Sequence, residues 1–315
     1  MTTDIVIIGG GPAGLQAALS IGRVHRQAVL LDDGSYRNAR VTHMHNVIGQ
    51  DGTPPPTLRA AARAELAAYP TVEVRDVRAT TVTPRPDGTY AVTLAAGEDL
   101  VARAVILATG FRDELPQVDG LQDLWGGRAA QCPFCHAHEF AGGRFGILGT
   151  GPAAHLTALL EPVAGSLVLL PLEGDPAGAP VRAVRDTGGG VDVTLADGST
   201  EHVDVLFLRP ELHQGAPFAA QLGLARNDSG AIRVDELQRT SLPGVMAAGD
   251  LAHVPALPMP MQSVVMAMAA GQVAASAAVM SLIGPRPRGL PSPTGHLPTS
   301  WPHPPRPQLA GQRWT

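Results

Sequence analysis

The sequence predicts an α/β fold of two Rossmann-like (three-layer ββα) dinucleotide-binding domains, the second inserted in the first. Three observations carry this reading. An apolar run at 4–8 leads straight into Gly9-Gly10-Gly11-Pro12-Ala13-Gly14 and a helical stretch at 15–24. A second strand–glycine–helix unit recurs at Gly149-Thr150-Gly151-Pro152-Ala153-Ala154. The chain then returns through an apolar segment ending in Gly249-Asp250, followed by an Ala-rich helix from Met261.

Taken in order, the β-branched run at 4–8 suits a strand buried on both faces. Gly9, Gly11 and Gly14 complete Gly-x-Gly-x-x-Gly. Such glycines permit a tight turn and let the backbone approach a pyrophosphate, with Pro12 and Ala13 opening a helix whose free N–H groups favour negative charge. A second strand at 28–31 ends in Asp32-Asp33, where an acid can hold a ribose hydroxyl pair. The segment Ser35-Tyr36-Arg37-Asn38 and the run Thr42-His43-Met44-His45-Asn46 read as loops lining a cofactor. His43 and His45 lack the partner set of a metal site, and no metal is expected.

A helix at 57–68, a strand at 72–77 and a hairpin around Pro86-Asp87-Gly88 follow. A buried strand at 101–107 closes on Ala108-Thr109-Gly110. In the second unit the strand at 144–148 precedes the glycine turn, a helix runs to about 160, and a strand covers 168–170. Strands at 191–195 and 203–208 are separated by an Asp197-Gly198 turn. The expected boundaries are 1–112 and 241–284 for the first domain, 113–240 for the inserted one, and 285–315 for a Pro-rich tail without periodic pattern.

Composition bounds the partners. With 16% charged residues and a net charge of -5, the chain has no basic footprint for nucleic acid or an anionic membrane. The N-terminus has no basic region, so no secretory signal is expected. The stretch at 264–283 is almost free of charge, yet its Ala, Gly and Ser suit close helix packing in a soluble core rather than a membrane span. A cytoplasmic protein is expected.

Both cysteines lie in Gln131-Cys132-Pro133-Phe134-Cys135-His136-Ala137-His138-Glu139. Cys-x-x-Cys can be a redox dithiol, half a zinc site or, with the next histidine, a haem attachment site. Zinc needs four ligands, which this short run cannot wrap around one ion, and there is no second cysteine pair. Haem attachment needs a secreted chain. The redox dithiol is the reading adopted.

These motifs together resemble the low-molecular-weight thioredoxin reductases over residues 1 to about 284. The resemblance rests on Gly9-x-Gly11-x-x-Gly14, Ala108-Thr109-Gly110, the Cys132-Pro133-Phe134-Cys135 dithiol, and Gly249-Asp250 before a helix carrying Gln262. It implies FAD as cofactor, a dithiol placed over the flavin, and a homodimer. Asp250 would bond the ribityl chain, with Gln262 and Ser263 near the ring. Arg37, Asn38, His45, Asn46 and Val77 are expected to add to the same site.

The second unit departs from that family. NADPH-dependent members carry arginines after its second strand to clamp the 2′-phosphate. Here the chain reads Leu170-Pro171-Leu172-Glu173-Gly174-Asp175, two acids and no arginine. Arg182 and Arg185 come later. Losing charge-assisted phosphate contacts costs a few kcal/mol. The sequence is similar here to FAD-dependent dithiol oxidases of the gliotoxin and holomycin type. The supporting runs are Asp33-Gly34-x-Tyr36-Arg37-Asn38, His43-Met44-His45-Asn46 and Cys-x-Phe-Cys-His-x-x-Glu.

That likeness implies oxidation of a small-molecule, natural-product dithiol with O2 as acceptor and hydrogen peroxide as product. Cys135 would face the flavin and Cys132 would exchange with substrate. Thiol exchange needs a thiolate, hence a nearby base. His136 is the first candidate and His138 the second, with Glu139 orienting either. Two alternatives remain open: a thioredoxin-disulfide reductase fed by NADPH or ferredoxin, and a flavin redox sensor without turnover.

Overall fold

The computed structural model describes residues 2–176 and 178–283. The expected tail at 285–315 lies outside the described residues. The first domain begins with β1 (Thr2–Ile8), α1 (Pro12–Arg23), β2 (Ala28–Leu31), α2 (Pro55–Leu66) and β3 (Val72–Arg75). An antiparallel meander follows, of β4 (Ala79–Pro84), β5 (Tyr90–Leu94) and β6 (Asp99–Leu107). β7 (Phe111–Glu114) leads to α3 (Leu121–Leu124), β8 (Ala129–Ala130) and α4 (Pro133–His136), then a 3-10 turn at His138–Phe140. Next come β9 (Arg144–Leu148), α5 (Ala153–Leu160) and β10 (Ser166–Leu170). β11 (Val181–Asp186), β12 (Val191–Leu195), β13 (Thr200–Val203) and β14 (Val205–Leu208) follow. The chain returns through β15 (Glu211–Gln214), α6 (Phe218–Gln221), β16 (Ile232–Arg233), β17 (Val245–Ala247), β18 (Ala252–His253) and α7 (Val264–Ser281).

In the first sheet β3, β2, β1 and β6 are neighbours and parallel. β6 serves two partners along one edge: its first half pairs with β5, and Val105–Leu107 pair with Val245–Ala247 of β17. Strand alternation then sorts the side chains into two cores. Ile5, Ile7, Ala104 and Ile106 face α1 and α7, while Val6, Ile8, Val105 and Leu107 face the β4–β5 meander. This is the three-layer ββα arrangement read from sequence. Phe218, Leu224 and Ile232, from the returning chain, belong to the meander-side core.

α7 is the described helix long and apolar enough to cross a membrane. Its small residues instead let it lie on α1. A β-carbon on Gly271 would collide with the Ala13 carbonyl, and Ala274, Ala275 and Ala278 are fully buried there.

The second domain packs the parallel sheet β10-β9-β14-β8 against the antiparallel β11-β12-β13 ribbon. The single strand expected at 203–208 is two. The Asp204 carboxylate accepts the Arg144 N–H at 2.6 Å at the start of β9, and the chain changes sheets there. β7 and β15 pair antiparallel and carry the chain out and back.

Candidate active site

A cavity of about 900 Å³ joins the first glycine turn to the cysteine segment. Gly9, Gly11, Pro12 and Ala13 line it together with Ala108, Thr109 and Gly110 at the end of β6. So do Cys132, Cys135 and His136, which lie more than a hundred residues beyond the glycine turn. The loops add Asp33, Arg37, Asn38, His45, Asn46 and Val77, and the return adds Gly249, Asp250, Gln262 and Ser263.

The glycines of the turn divide by role. Gly9 has φ 116°, and a β-carbon there would strike the Ala108 carbonyl. A β-carbon on Gly14 would strike the Gly9 carbonyl, so Gly14 packs helix on strand rather than lining the cavity. Gly11 has no atom within 4 Å of its would-be β-carbon. It is the open floor of the turn. No side chain caps α1 at Gly11, which leaves first-turn N–H groups for an anionic ligand.

Of the two acids after β2, Asp33 lines the cavity and Asp32 does not. Asp32 is 2% exposed and lies behind Gly10. It accepts the Tyr36 hydroxyl at 2.6 Å, the Gly34 N–H at 3.0 Å and Arg63 at 2.9 Å. Burial, with the Asp32 hydrogen bond, pushes the Tyr36 hydroxyl up to about 12. Arg59 stacks on the Tyr36 ring at 3.9 Å and donates to the Asn38 side chain at 3.1 Å. Sequence reading missed Arg59 and Arg63; their spacing of four on one helical face was the available signal.

Arg37 is a hub. Its guanidinium forks onto Asp113, with Nε at 3.0 Å from both carboxylate oxygens and Nη2 at 2.5 Å from Oδ1. It also meets Asp250 at 2.8 Å and the Gln131 side-chain oxygen at 2.8 Å. Burial opposes the charge on Arg37, but the Asp113 and Asp250 partners hold its pKa above the ordinary arginine value. Burial raises the Asp250 pKa, against the pull of Arg37. Gln131 in turn donates to the Gln262 side-chain oxygen at 3.2 Å. The Gln262 amide nitrogen is buried with no hydrogen-bond partner among the described residues. Beside it, Ser263 caps α7 by accepting the Met266 N–H at 3.1 Å.

Cys132 and Cys135 form a disulfide with Cα atoms 5.3 Å apart. Cys132 precedes α4 and Cys135 lies within it, its N–H bonded to the Cys132 carbonyl at 3.1 Å. His136 sits next to the pair with Nδ1 buried and unpartnered among the described residues. Burial lowers its pKa, partly offset by a hydrogen bond with the Gly126 backbone and the charge of Glu139. The imidazole is therefore neutral at pH 7 and able to take a proton. His138 and Glu139 do not line the cavity. His138 is exposed, and Glu139 lies 3.4 Å from His45, which also reaches Asp51 at 3.3 Å.

The second glycine turn is built differently. The Asp175 carboxylate accepts the Thr150 N–H at 3.0 Å, the Thr150 hydroxyl at 2.5 Å and the Leu172 N–H at 2.7 Å. These bonds, Thr150 first, hold its pKa below the ordinary carboxylate value. The later arginines are exposed and lie beside acids: Arg182 is 3.3 Å from Glu173, and Arg185 is 3.2 Å from Asp192.

Known proteins resemble this chain in sequence and fold. The pyridine nucleotide-disulphide oxidoreductase family matches residues 3–159 and 177–271. Thioredoxin reductase sirT of Leptosphaeria maculans is 32% identical, with 89% of this chain and 94% of that protein covered. Thioredoxin reductase aclD of Aspergillus oryzae is also 32% identical, covering 89% and 96%. Among solved structures, an oxidoreductase from Agrobacterium tumefaciens superposes with a TM-score of 0.81 at 31% identity, covering 90% of this chain and 99% of that one. HlmI superposes with a TM-score of 0.81 at 30% identity, covering 89% and 92%. The chain belongs to the pyridine nucleotide-disulphide oxidoreductase family, as a thioredoxin reductase-like oxidoreductase acting on sulfur groups.

Proposed function

We propose that this protein is an FAD-dependent oxidase that converts a small-molecule dithiol, of natural-product type, into its disulfide. The observation carrying this reading is the contrast between the two glycine turns. The first opens on a cavity shared with Cys132 and Cys135, and the second has its Thr150 donors taken by Asp175. Thiols inside the first cavity are the electron source this contrast favours over a nicotinamide.

The residues present fit FAD. Gly11 leaves room where a pyrophosphate would lie, α1 offers uncapped N–H groups, and Asp33 stands where a ribose acid is needed. The unpartnered Gln262 amide nitrogen supplies a donor beside the dithiol segment. Asp250 and Ser263 complete the wall. Bound there, FAD supplies the two-electron acceptor for the reduced cysteine pair, with O2 as terminal oxidant and hydrogen peroxide as product.

The chain's own steps follow from thiol–disulfide exchange. A substrate thiolate attacks the Cys132 sulfur, forming a mixed disulfide and releasing the Cys135 thiolate. The second substrate thiolate attacks the substrate sulfur of that bond. This releases Cys132 and the product disulfide. Two thiol protons leave the substrate, and neutral His136 accepts one at a time and hands it on. A cytoplasmic homodimer completes the proposal, on the family likeness.

Anaerobic reduction tests it. A small dithiol such as dithiothreitol bleaches the bound flavin, and admitted air restores the colour with one peroxide per dithiol. Fast and complete bleaching by NADPH would sink the oxidase reading in favour of a reductase. A flavin inert to both reductants would favour a sensor.

A further inference from the structure

We propose that Gln131, the residue before Cys132, is a positioning residue that fixes which end of the Gln262 amide faces the flavin. The inference rests on the flavin reading above. A glutamine amide can present either oxygen or nitrogen, because the two ends have the same shape. Here the choice is forced from one end of a chain of bonds. Arg37 has only donors, and two carboxylates hold it: Asp113 at 3.0 Å from Nε and Asp250 at 2.8 Å from Nη1. Its Nη2 reaches Gln131 at 2.8 Å, so Gln131 must offer oxygen there. The Gln131 nitrogen therefore points to Gln262, which must offer its own oxygen, at 3.2 Å. What remains is the Gln262 nitrogen, a buried donor without a partner among the described residues, on a side chain that lines the cavity.

An unpaired buried donor is costly unless a ligand meets it. The carbonyl and imino edge of a flavin offers acceptors, and that edge gains negative charge on reduction. A donor held there strengthens as charge develops, so it favours the reduced cofactor. Arg37 acts two residues away from the ring through Gln131, and Gln131 acts only through Gln262.

The test compares holoenzymes by flavin midpoint potential, equilibrated anaerobically with a reference dye, and by visible spectrum. The set is wild type, Gln131→Leu, Gln131→Glu, Gln262→Leu and the Gln131→Leu/Gln262→Leu pair. Gln131→Leu shifts the reduced-to-oxidised ratio about tenfold toward oxidised, about 30 mV for a two-electron couple. Gln131→Glu keeps the Arg37 contact but can only accept. It turns the Gln262 amide round, presents oxygen to the flavin and shifts the ratio further. In the pair, loss of Gln131 adds nothing to loss of Gln262. A Gln131→Leu ratio within twofold of wild type overturns the proposal, and so do additive shifts in the pair. Should Gln131→Leu release its flavin, Gln131→Glu, of nearly the same volume, decides by the same criterion. Wild-type protein without any flavin would instead sink the cofactor reading itself.

Discussion

Asp175 holds Thr150 by two hydrogen bonds, to its N–H at 3.0 Å and its hydroxyl at 2.5 Å, and so closes the second glycine turn with the protein's own carboxylate. Asp175→Ala is expected to destabilise the inserted domain by about 1 kcal/mol, since the freed groups are partly solvated. It gains no NADPH-driven flavin reduction, because residues 171–175 after β10 still offer no arginine for a 2′-phosphate. The pKa of Asp175 is lower in the folded state than in the unfolded chain. Its contribution is thus present above the unfolded value and lost as pH falls through the folded one. Urea titrations at neutral and acid pH check this: wild type and variant converge at the acid end.

His136 carries the proton step in the proposed reaction. His136→Ala is expected to slow dithiol oxidation about 100-fold at neutral pH, within the usual range for a general base. The loss shrinks at alkaline pH, where substrate thiolates form unaided. A pH–rate profile that drops equally everywhere would remove the base assignment. Because burial lowers the His136 pKa, its neutral form persists below pH 6.5, and only further acidification charges it.

Replacing either cysteine separates binding from chemistry. Cys135→Ser and Cys132→Ser each keep the flavin, as both side chains sit in the cavity wall without supporting the glycine turn. Turnover with a dithiol falls to background in both. A reduced dithiol forms no mixed disulfide with Cys135→Ser, because the Cys132–Cys135 bond it would attack is gone. The Cys132 thiolate instead attacks the disulfide product when that is supplied, opening its S–S bond, and mass spectrometry reads the adduct.

Arg37→Leu leaves the Asp113 and Asp250 carboxylates without their shared cation. Side-chain exposures of 15%, 8% and 21% for Arg37, Asp113 and Asp250 make this a mostly buried cluster. Breaking it is expected to cost about 3–5 kcal/mol, seen as an earlier urea midpoint. The loss is smaller at low pH, where the carboxylates can protonate.

Two glycines of one turn should fail in different ways. Gly11→Ala has open space for its methyl group, so the apoprotein keeps its stability while flavin affinity drops. Gly14→Ala drives a methyl group into the Gly9 carbonyl, and overpacking against backbone costs about 1–3 kcal/mol or more. Thermal melts of apoprotein beside flavin titrations distinguish the two.

Much of the frame was readable from local pattern. Glycine turns, β-branched strands and the pair at 132 and 135 are set by sterics within a few residues, so they survive in the linear order. The split at Asp204 was not readable, because its cause is a bond to the Arg144 N–H, 60 residues earlier in the chain. Nor could spacing distinguish Asp32 from Asp33, adjacent acids whose side chains leave a strand end in opposite directions.

By itself, then, the sequence determined the α/β class, the two turns, the dithiol and the want of phosphate-clamping arginines after β10. Only the tertiary structure decided how these meet. Arg37 finds Asp113 and Asp250 across 76 and 213 residues, Gln131 finds Gln262 across 131, and Asp175 rather than a ligand takes Thr150. The reason is directional. A motif fixes which groups are available, but a hydrogen bond's polarity depends on what faces it, and those partners arrive through long-range packing.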